Sequence, residues 1–482
     1  MFNYVILKNN RGVIITYVLV FGSIFLILLG GLLGFVLFQI RVVNQKIAFN
    51  QALYIAEAGI NYYKWCLNNN IEENCLSEKS YYTPQGKLIG SFSLDKETQQ
   101  ACGQTIQKNI ISTGRVNNFY DIERKISVIY ARESVARYSY ILNSDVWIGS
   151  DHEIRGPYHS NLGVRFDGEN QSLVTSSVEN WLCTSSFGCD YLNCPRNCSR
   201  DGSTCRCPGV FSTTSVSNQS LFNYPVVPFD FLGITVDLVQ IKQFANDMGV
   251  YLPPAKNINA SAKGWHLIFQ DNGKVEARII TDLSCTWAYS LEEDWHYDCF
   301  TITSEYTPAT LPDGRSNPFN VPLGCSVIFV EDSLWPEGKI NNKITVASAN
   351  LLESNVKTDI ILQNNIDYAL KDGSNGLVLI GQRNVLISNN SPNKMEIRGV
   401  FIAQNGRFGR NHYQNNIRDS LEIYGSIISA GRVGTKWVSG SQTISGYSKR
   451  ETIFDPYMVY SPPPFLPYID PLFKLIKWQE IK

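Results

Sequence analysis

Charge is absent from one stretch of this sequence and balanced over the rest. No Asp, Glu, Lys or Arg occurs from Val13 to Ile40. At about 1.5 Å of rise per residue the run outspans a hydrocarbon core of about 30 Å, so it can cross a bilayer as one slightly tilted helix. A small-residue cleavage site is also missing. Arg41, Val42, Val43, Asn44 and Gln45 follow the run, which exceeds the apolar core of about 7–15 residues found in a signal peptide. The segment reads as a retained anchor. Lys8 and Arg11 precede it with no acidic neighbour, which places the N-terminus in the cytoplasm and the remainder in the periplasm or outside the cell.

An excess of positive charge is lacking as well. Lys and Arg total 42 against 43 Asp and Glu, a formal net charge of −1, which argues against a nucleic-acid partner drawn by a basic surface. Catalytic motifs are scarce. There are five histidines, His152, His159, His266, His296 and His412, and none stands in an HExxH or HxH pattern. His152, between Asp151 and Glu153, is expected on the solvated surface, and His159 in a hydrogen bond within the turn after Gly156-Pro157. No nucleophile elbow, P-loop or dinucleotide fingerprint occurs. The expectation is a non-enzymatic protein with no catalytic residue, cofactor or metal site.

Cysteine is what the chain has in plenty. Of 12, six fall between Cys183 and Cys207: Cys183, Cys189, Cys194, Cys198, Cys205 and Cys207. The intervening Gly, Ser, Pro and Asn offer almost nothing to bury, so disulfides are expected to hold the segment, each stabilising by roughly 2–4 kcal/mol. Zinc is the competing reading, because Cys194 and Cys198 resemble half a zinc knuckle; against it, the cluster has no CxxC pair and no histidine. Cys66 with Cys75, and Cys285 with Cys299, are candidate local bridges. Cys102 and Cys325 complete an even set.

The pattern of residues predicts an α+β, mainly β protein. The helix from Val13 is expected to continue through about residue 66, with Val43, Ile47, Tyr54 and Ala58 at helical spacing. Strands are expected at 88–94, 110–115 and 124–130, making a small antiparallel sheet. Asp237 to Met248 reads as a short helix. From about 324 to 434 short runs of Val, Ile and Leu bounded by Asn and Gly recur. Glu396–Ala403 and Glu422–Ser429 match closely at an offset of 26 residues. This favours a β-helix-like solenoid over an ordinary β-sandwich. Glu396 and Glu422 occupy equivalent repeat positions, read as a ladder edge rather than an acid/base pair. The expected organisation is a leader (1–12), membrane helix (13–40), helix continuation (41–66), small β domain (67–131), β-rich region (132–323) with a Cys-rich insertion (183–207), β-helix-like region (324–450) and Pro-rich tail (451–482).

Two features of the helix leave alternatives open. Gly22, Gly30, Gly31 and Gly34 are either ordinary glycine use in a membrane helix or a small-residue face on which another helix packs. Glu57 is either solvated or ion-paired with a neighbouring subunit.

The leader ending in Arg11-Gly12, the apolar helix from Val13, and Ala52-Leu53-Tyr54-Ile55-Ala56-Glu57-Ala58-Gly59 together resemble the N-terminus of the PilX group of type IV pilus assembly proteins and related pilin-like minor components. Those N-termini carry an AEAG or AEAA stretch at this point. The resemblance covers residues 10–66. It implies a bacterial, membrane-anchored protein of pilus or related filament assembly and surface contact. Its partners would be other pilin-like subunits through the N-terminal helix, the lipid bilayer and a surface ligand, with no nucleic acid. Gly12 and Val13 would be the processing junction. Typical pilins have phenylalanine first and glutamate fifth in the mature chain; here Val13 and Tyr17 stand at those places. Two other classes compete: a cell-surface β-helix enzyme acting on polysaccharide, and a plain membrane-anchored adhesin.

Overall fold

The computed structural model describes residues 11–117, 119–231, 237–353, 355–440 and 442–481. Lys8 and the rest of the leader before Arg11 lie outside the described residues. From Arg11 the chain runs as one 58-residue helix, α1 (Arg11–Asn68), about 87 Å long at 1.5 Å per residue. Proline is absent from it, so nothing breaks the ladder of hydrogen bonds. From Val13 to Ile47 every residue except Gly22 is exposed. Its charge-free part, Val13 to Ile40, is long and apolar enough to cross a membrane.

Chain contacts define two units. The first comprises Met1–Glu97, Lys108–Tyr130 and Leu475–Lys482. After α1 it holds a five-stranded sheet of β1 (Lys79–Tyr82), β2 (Leu88–Ala101), β3 (Gln104–Val116), β4 (Phe119–Ala131) and the C-terminal strand Lys474–Ile481, in that order. β2 and β3 turn at Cys102 and Gly103, both at positive φ, as a two-residue hairpin requires. The strands extend well beyond the segments expected from alternation. Arg124 pairs with Glu480 of the last strand, so the end of the chain completes the sheet.

The helix continues as the spacing indicates, but the large apolar residues at that spacing do not form its buried face. Ala48, Ala52, Ile55, Ala56, Ile60, Tyr63 and Cys66 are buried, whereas Val43, Ile47 and Tyr54 are exposed. The reason is close approach. A Cβ at Gly114 would collide with the carbonyl of Ala52 and the backbone of Ala56, and one at Gly59 would meet Ser112 and Phe92. The sheet packs where the helix is narrowest, not where it is most apolar.

The second unit comprises Thr98–Gln107 and Ala131–Lys474. Its frame is a set of parallel ladders. The longest joins Val250–Leu252, Val327–Val330, Lys343–Ser348, Gly376–Gly381 and the C-terminal halves of Lys394–Ala403 and Ile417–Ser429. It then continues, still parallel, into Tyr140–Leu142, Tyr158–Ser160 and Val174–Ser176. Strands from the 132–323 and 324–450 ranges thus share one ladder. A second runs from Gly264–Phe269 through Leu334–Ile340 and Ile360–Leu362 to Val385–Ile387. A third aligns the N-terminal halves of Lys394–Ala403 and Ile417–Ser429 with Gln442–Ile453, His152–Arg155 and Glu169–Asn170.

Long strands pass from one ladder to another through bends. Gly399 and Gly425 lie in register, both with φ of +142°, a conformation L side chains rarely adopt. The two matching 26-residue segments therefore share a backbone kink as well as a sequence. Strands such as Val327–Val330 and Gly376–Gly381 are buried along their whole length, as parallel strands covered on both faces must be. One side fills the interior between ladders. The other packs under the helix α2 (Leu238–Asp247), through Leu238, Ile241 and Ala245, and under Met458 and Leu466 of the tail. The Asp237 carboxylate caps α2 by accepting from the backbone N–H groups of Val239 and Gln240, each at 3.0 Å.

Candidate functional site

Three features stand apart from the frame. The first is the bare half of α1. Nothing lies within 4 Å of a Cβ built at Gly22, Gly30, Gly31 or Gly34. At 100° per residue Gly30 and Gly34 share a face, with Gly31 and Gly22 each roughly a quarter-turn away on opposite sides. The structure thus brings together a small-xxx-small pair and leaves Gly22 off it. Val13 is exposed, and Gly12 lies in the helix. Glu57 is half-buried and has no hydrogen bond or ion pair among the described residues.

The second feature is the set of cystines. All 12 cysteines are paired. Cys66 bonds to Cys75 and Cys285 to Cys299; the insertion holds Cys183–Cys189, Cys194–Cys205 and Cys198–Cys207. The sulfurs of Cys183, Cys189 and Cys207 crowd within 4.8 Å of one another, but as disulfides they present no thiolate to a metal. They form, with Trp181 and Phe211, the small core of the insertion. The remaining bridge, Cys102–Cys325, spans 223 residues. Local spacing carries no signal for it.

His152, expected at the surface, is buried. It is 8% exposed and sits 3.1 Å from Thr452 Oγ1, because on its strand it points inward while Arg155 points out. His159 bonds Asn161 within its turn and Thr175 across the ladder, both at 2.9 Å. Burial holds both imidazoles below their usual pKa. Glu396 and Glu422 stand directly opposite each other, and the row continues through Glu451 and Glu153 to Glu169. Arg155 threads it, 2.6 Å from Glu153 and 3.1 Å from Glu451. Burial foremost, then the like charges of Glu153 and Glu422, raise the Glu451 carboxyl against the pull of Arg155.

The third feature, which motif reading did not find, is a cleft of about 870 Å³ in the second unit. Its walls come from loops far apart in sequence. Asp167 accepts from Trp147 Nε1 at 2.9 Å and from Arg165 Nε at 2.7 Å. Asp151 holds two cations, Arg450 Nη2 at 2.9 Å and Lys436 Nζ at 3.2 Å. Glu292 pairs with Arg407 Nε at 2.9 Å. Arg432 is different: it donates to the Ser186 carbonyl at 2.9 Å and lies over the Phe187 ring at 4.3 Å, with no ion pair among the described residues. Burial lowers its pKa, offset in part by Glu292 and Asp145. Tyr289 and Trp437 form an aromatic wall, their ring centroids 5.6 Å apart.

No protein-family model matches the sequence, and no curated protein matches it. Among solved structures, the competence-associated pilin ComZ from Thermus thermophilus aligns at 13% identity with a TM-score of 0.29, over 90% of this chain and 97% of that one. A likeness of that strength carries no argument about function.

Proposed function

We propose that this is a membrane-anchored, pilin-like protein of the PilX type, acting by assembly and surface contact rather than by catalysis. The single observation behind this reading is α1. One unbroken helix presents an unpacked half from Val13 to Ile47, charge-free as far as Ile40, then packs a small antiparallel sheet against its Ala- and Gly-rich half. The first half anchors in the bilayer with its N-terminus in the cytoplasm, and the disulfide-bonded head lies in the periplasm or beyond. In a bilayer, helices associate through close van der Waals packing where side chains are small. Gly30 and Gly34 supply such a face, and Glu57 supplies a charge for a basic group on the neighbouring subunit. The parallel ladders of the head are a β-helix-like solenoid, stiff enough to project a surface.

Cysteine scanning across positions 28–38 of the full chain, with oxidative crosslinking in native membranes, tests this reading. Covalent dimers are expected to recur with helical period and to peak on the Gly30/Gly34 side. A flat profile without dimers would reject assembly through the helix and leave the lone adhesin.

A further inference from the structure

A hairpin beside the cleft carries a second unusual surface. Strands Lys274–Ser290 and Asp294–Tyr306 pair antiparallel, with Trp287 opposite Tyr297 and Tyr289 opposite Trp295. Residues two apart on a strand share a face, so all four rings lie on one side of the hairpin. They form a continuous row: Tyr297 to Trp287 at 4.7 Å and edge-on, Trp287 to Trp295 at 6.0 Å and nearly parallel, and Trp295 to Tyr289 at 5.4 Å and tilted. Tyr289 then meets Trp437 at the wall of the cleft. Cross-strand aromatic pairs stabilise hairpins by themselves, but a merely structural cluster would close over its faces. These stay open: Tyr297 is 67% exposed, Trp295 50% and Trp287 48%.

We infer that the aromatic row and the cleft form one binding track for an acidic polysaccharide, in which carboxylate-bearing sugars are interspersed with neutral ones. Three properties of the track select that chemistry. Flat exposed rings in series match the C–H faces of successive pyranoses, and an aromatic-lined concavity with a few fixed polar groups is the usual form of a ligand site. The cleft carries a surplus of cations over carboxylates, and Arg432 retains guanidinium donors with no acidic partner to occupy them. A guanidinium fork fits a carboxylate. The partly exposed carboxylates of Asp151 and Glu292 in the same walls accept hydrogen bonds from hydroxyl groups, which sugars have in abundance. A single-stranded nucleic acid also stacks on aromatic rings, but it wants a groove of one sign along its phosphates. DNA backbone offers no hydroxyl donors to Asp151 and Glu292.

The track lies wholly in the second unit, so the inference stands independently of assembly through α1. Its test is binding of the full chain, in detergent micelles at low salt, to three probes: hyaluronate oligosaccharides (alternating glucuronate and N-acetylglucosamine), neutral dextran, and oligothymidylate. Hyaluronate is expected to bind and the other two to bind at least about tenfold more weakly. Trp295→Ala and Tyr297→Ala, both on exposed rings, each weaken hyaluronate by about tenfold. Arg432→Gln brings hyaluronate down to the level of dextran. Trp65→Ala, an exposed aromatic of the first unit, leaves binding unchanged. Equal affinity for hyaluronate and dextran, preference for oligothymidylate, or loss of binding in Trp65→Ala to the same extent as in Trp295→Ala would each overturn the inference.

Discussion

Two buried histidines respond to pH in opposite directions, and the contrast follows from their neighbours. His266 is 6% exposed, with Glu305 Oε2 at 2.7 Å from Nδ1 and Glu337 Oε2 at 3.6 Å from Nε2. Arg278 reaches Glu305 at 2.6 Å and Glu276 at 2.7 Å. Burial alone would lower the His266 pKa, but the two carboxylates acting together outweigh it and raise the value. The stabilisation from a protonated His266 is therefore complete below its unfolded pKa of about 6.5 and is lost as pH rises through the higher folded value. His152 has Tyr140, Thr452 and the positive Arg450 beside its ring. Its pKa is lowered by burial first and Arg450 second, so its contribution is full above about pH 6.5 and is lost as pH falls. Thermal unfolding of the purified full chain at pH 5.5 and pH 8.5 separates the two. His266→Gln costs more at pH 5.5, where it removes a charge-assisted hydrogen bond of about 1.5–3 kcal/mol. His152→Gln costs more at pH 8.5. The same sign for both would contradict these assignments.

At the scale of elements, the long apolar helix α1, the short α2 and the matching strands of the repeats were readable from the sequence. The charge-free run, the periodicity and the repeated Glu-Ile-x-Gly segments are local signals. The buried face of α1 was not readable in the same way. Spacing of large apolar residues points to Val43, Ile47 and Tyr54, whereas packing selected Ala48, Ala52, Ala56 and Gly59. Only a small-residue stripe lets a strand with glycine at position 114 approach so closely. Gly114→Ala is accordingly expected to destabilise the helix–sheet unit by about 1–3 kcal/mol, because both groups a Cβ would strike are backbone and cannot rotate away. Amide hydrogen exchange of the helix around Ala52 to Ala56 and of the strand around Gly114, across a denaturant series, reads that loss. Unchanged exchange would show that the helix and sheet are not packed as described.

Across the whole molecule, long-range order is what the sequence hid. The bond between Cys102 and Cys325 joins residues 223 apart, and no spacing rule pairs them. The ladder that continues from Ile427–Ser429 back to Tyr140–Leu142 reverses the order of the chain, so strand character was visible while neighbourhood was not. The cleft was hidden for the same reason: Asp151, Glu292, Arg432 and Trp437 meet only after the ladders stack. What the composition did show is the physical division on which the account rests. A charge-free run long enough to cross a bilayer and a cystine-rich remainder are what the sequence displays, and the proposed function sets the first in lipid and the second in an oxidising compartment.

That division is tested most directly on one sample. Cells making the full chain are broken, the membranes washed with alkaline carbonate, and the protein alkylated before or after reduction and weighed by mass spectrometry. The account predicts that the chain stays in the washed membranes and takes up no alkyl groups until reduction, then 12. A chain recovered in the soluble fraction with thiols that react without reduction would contradict it.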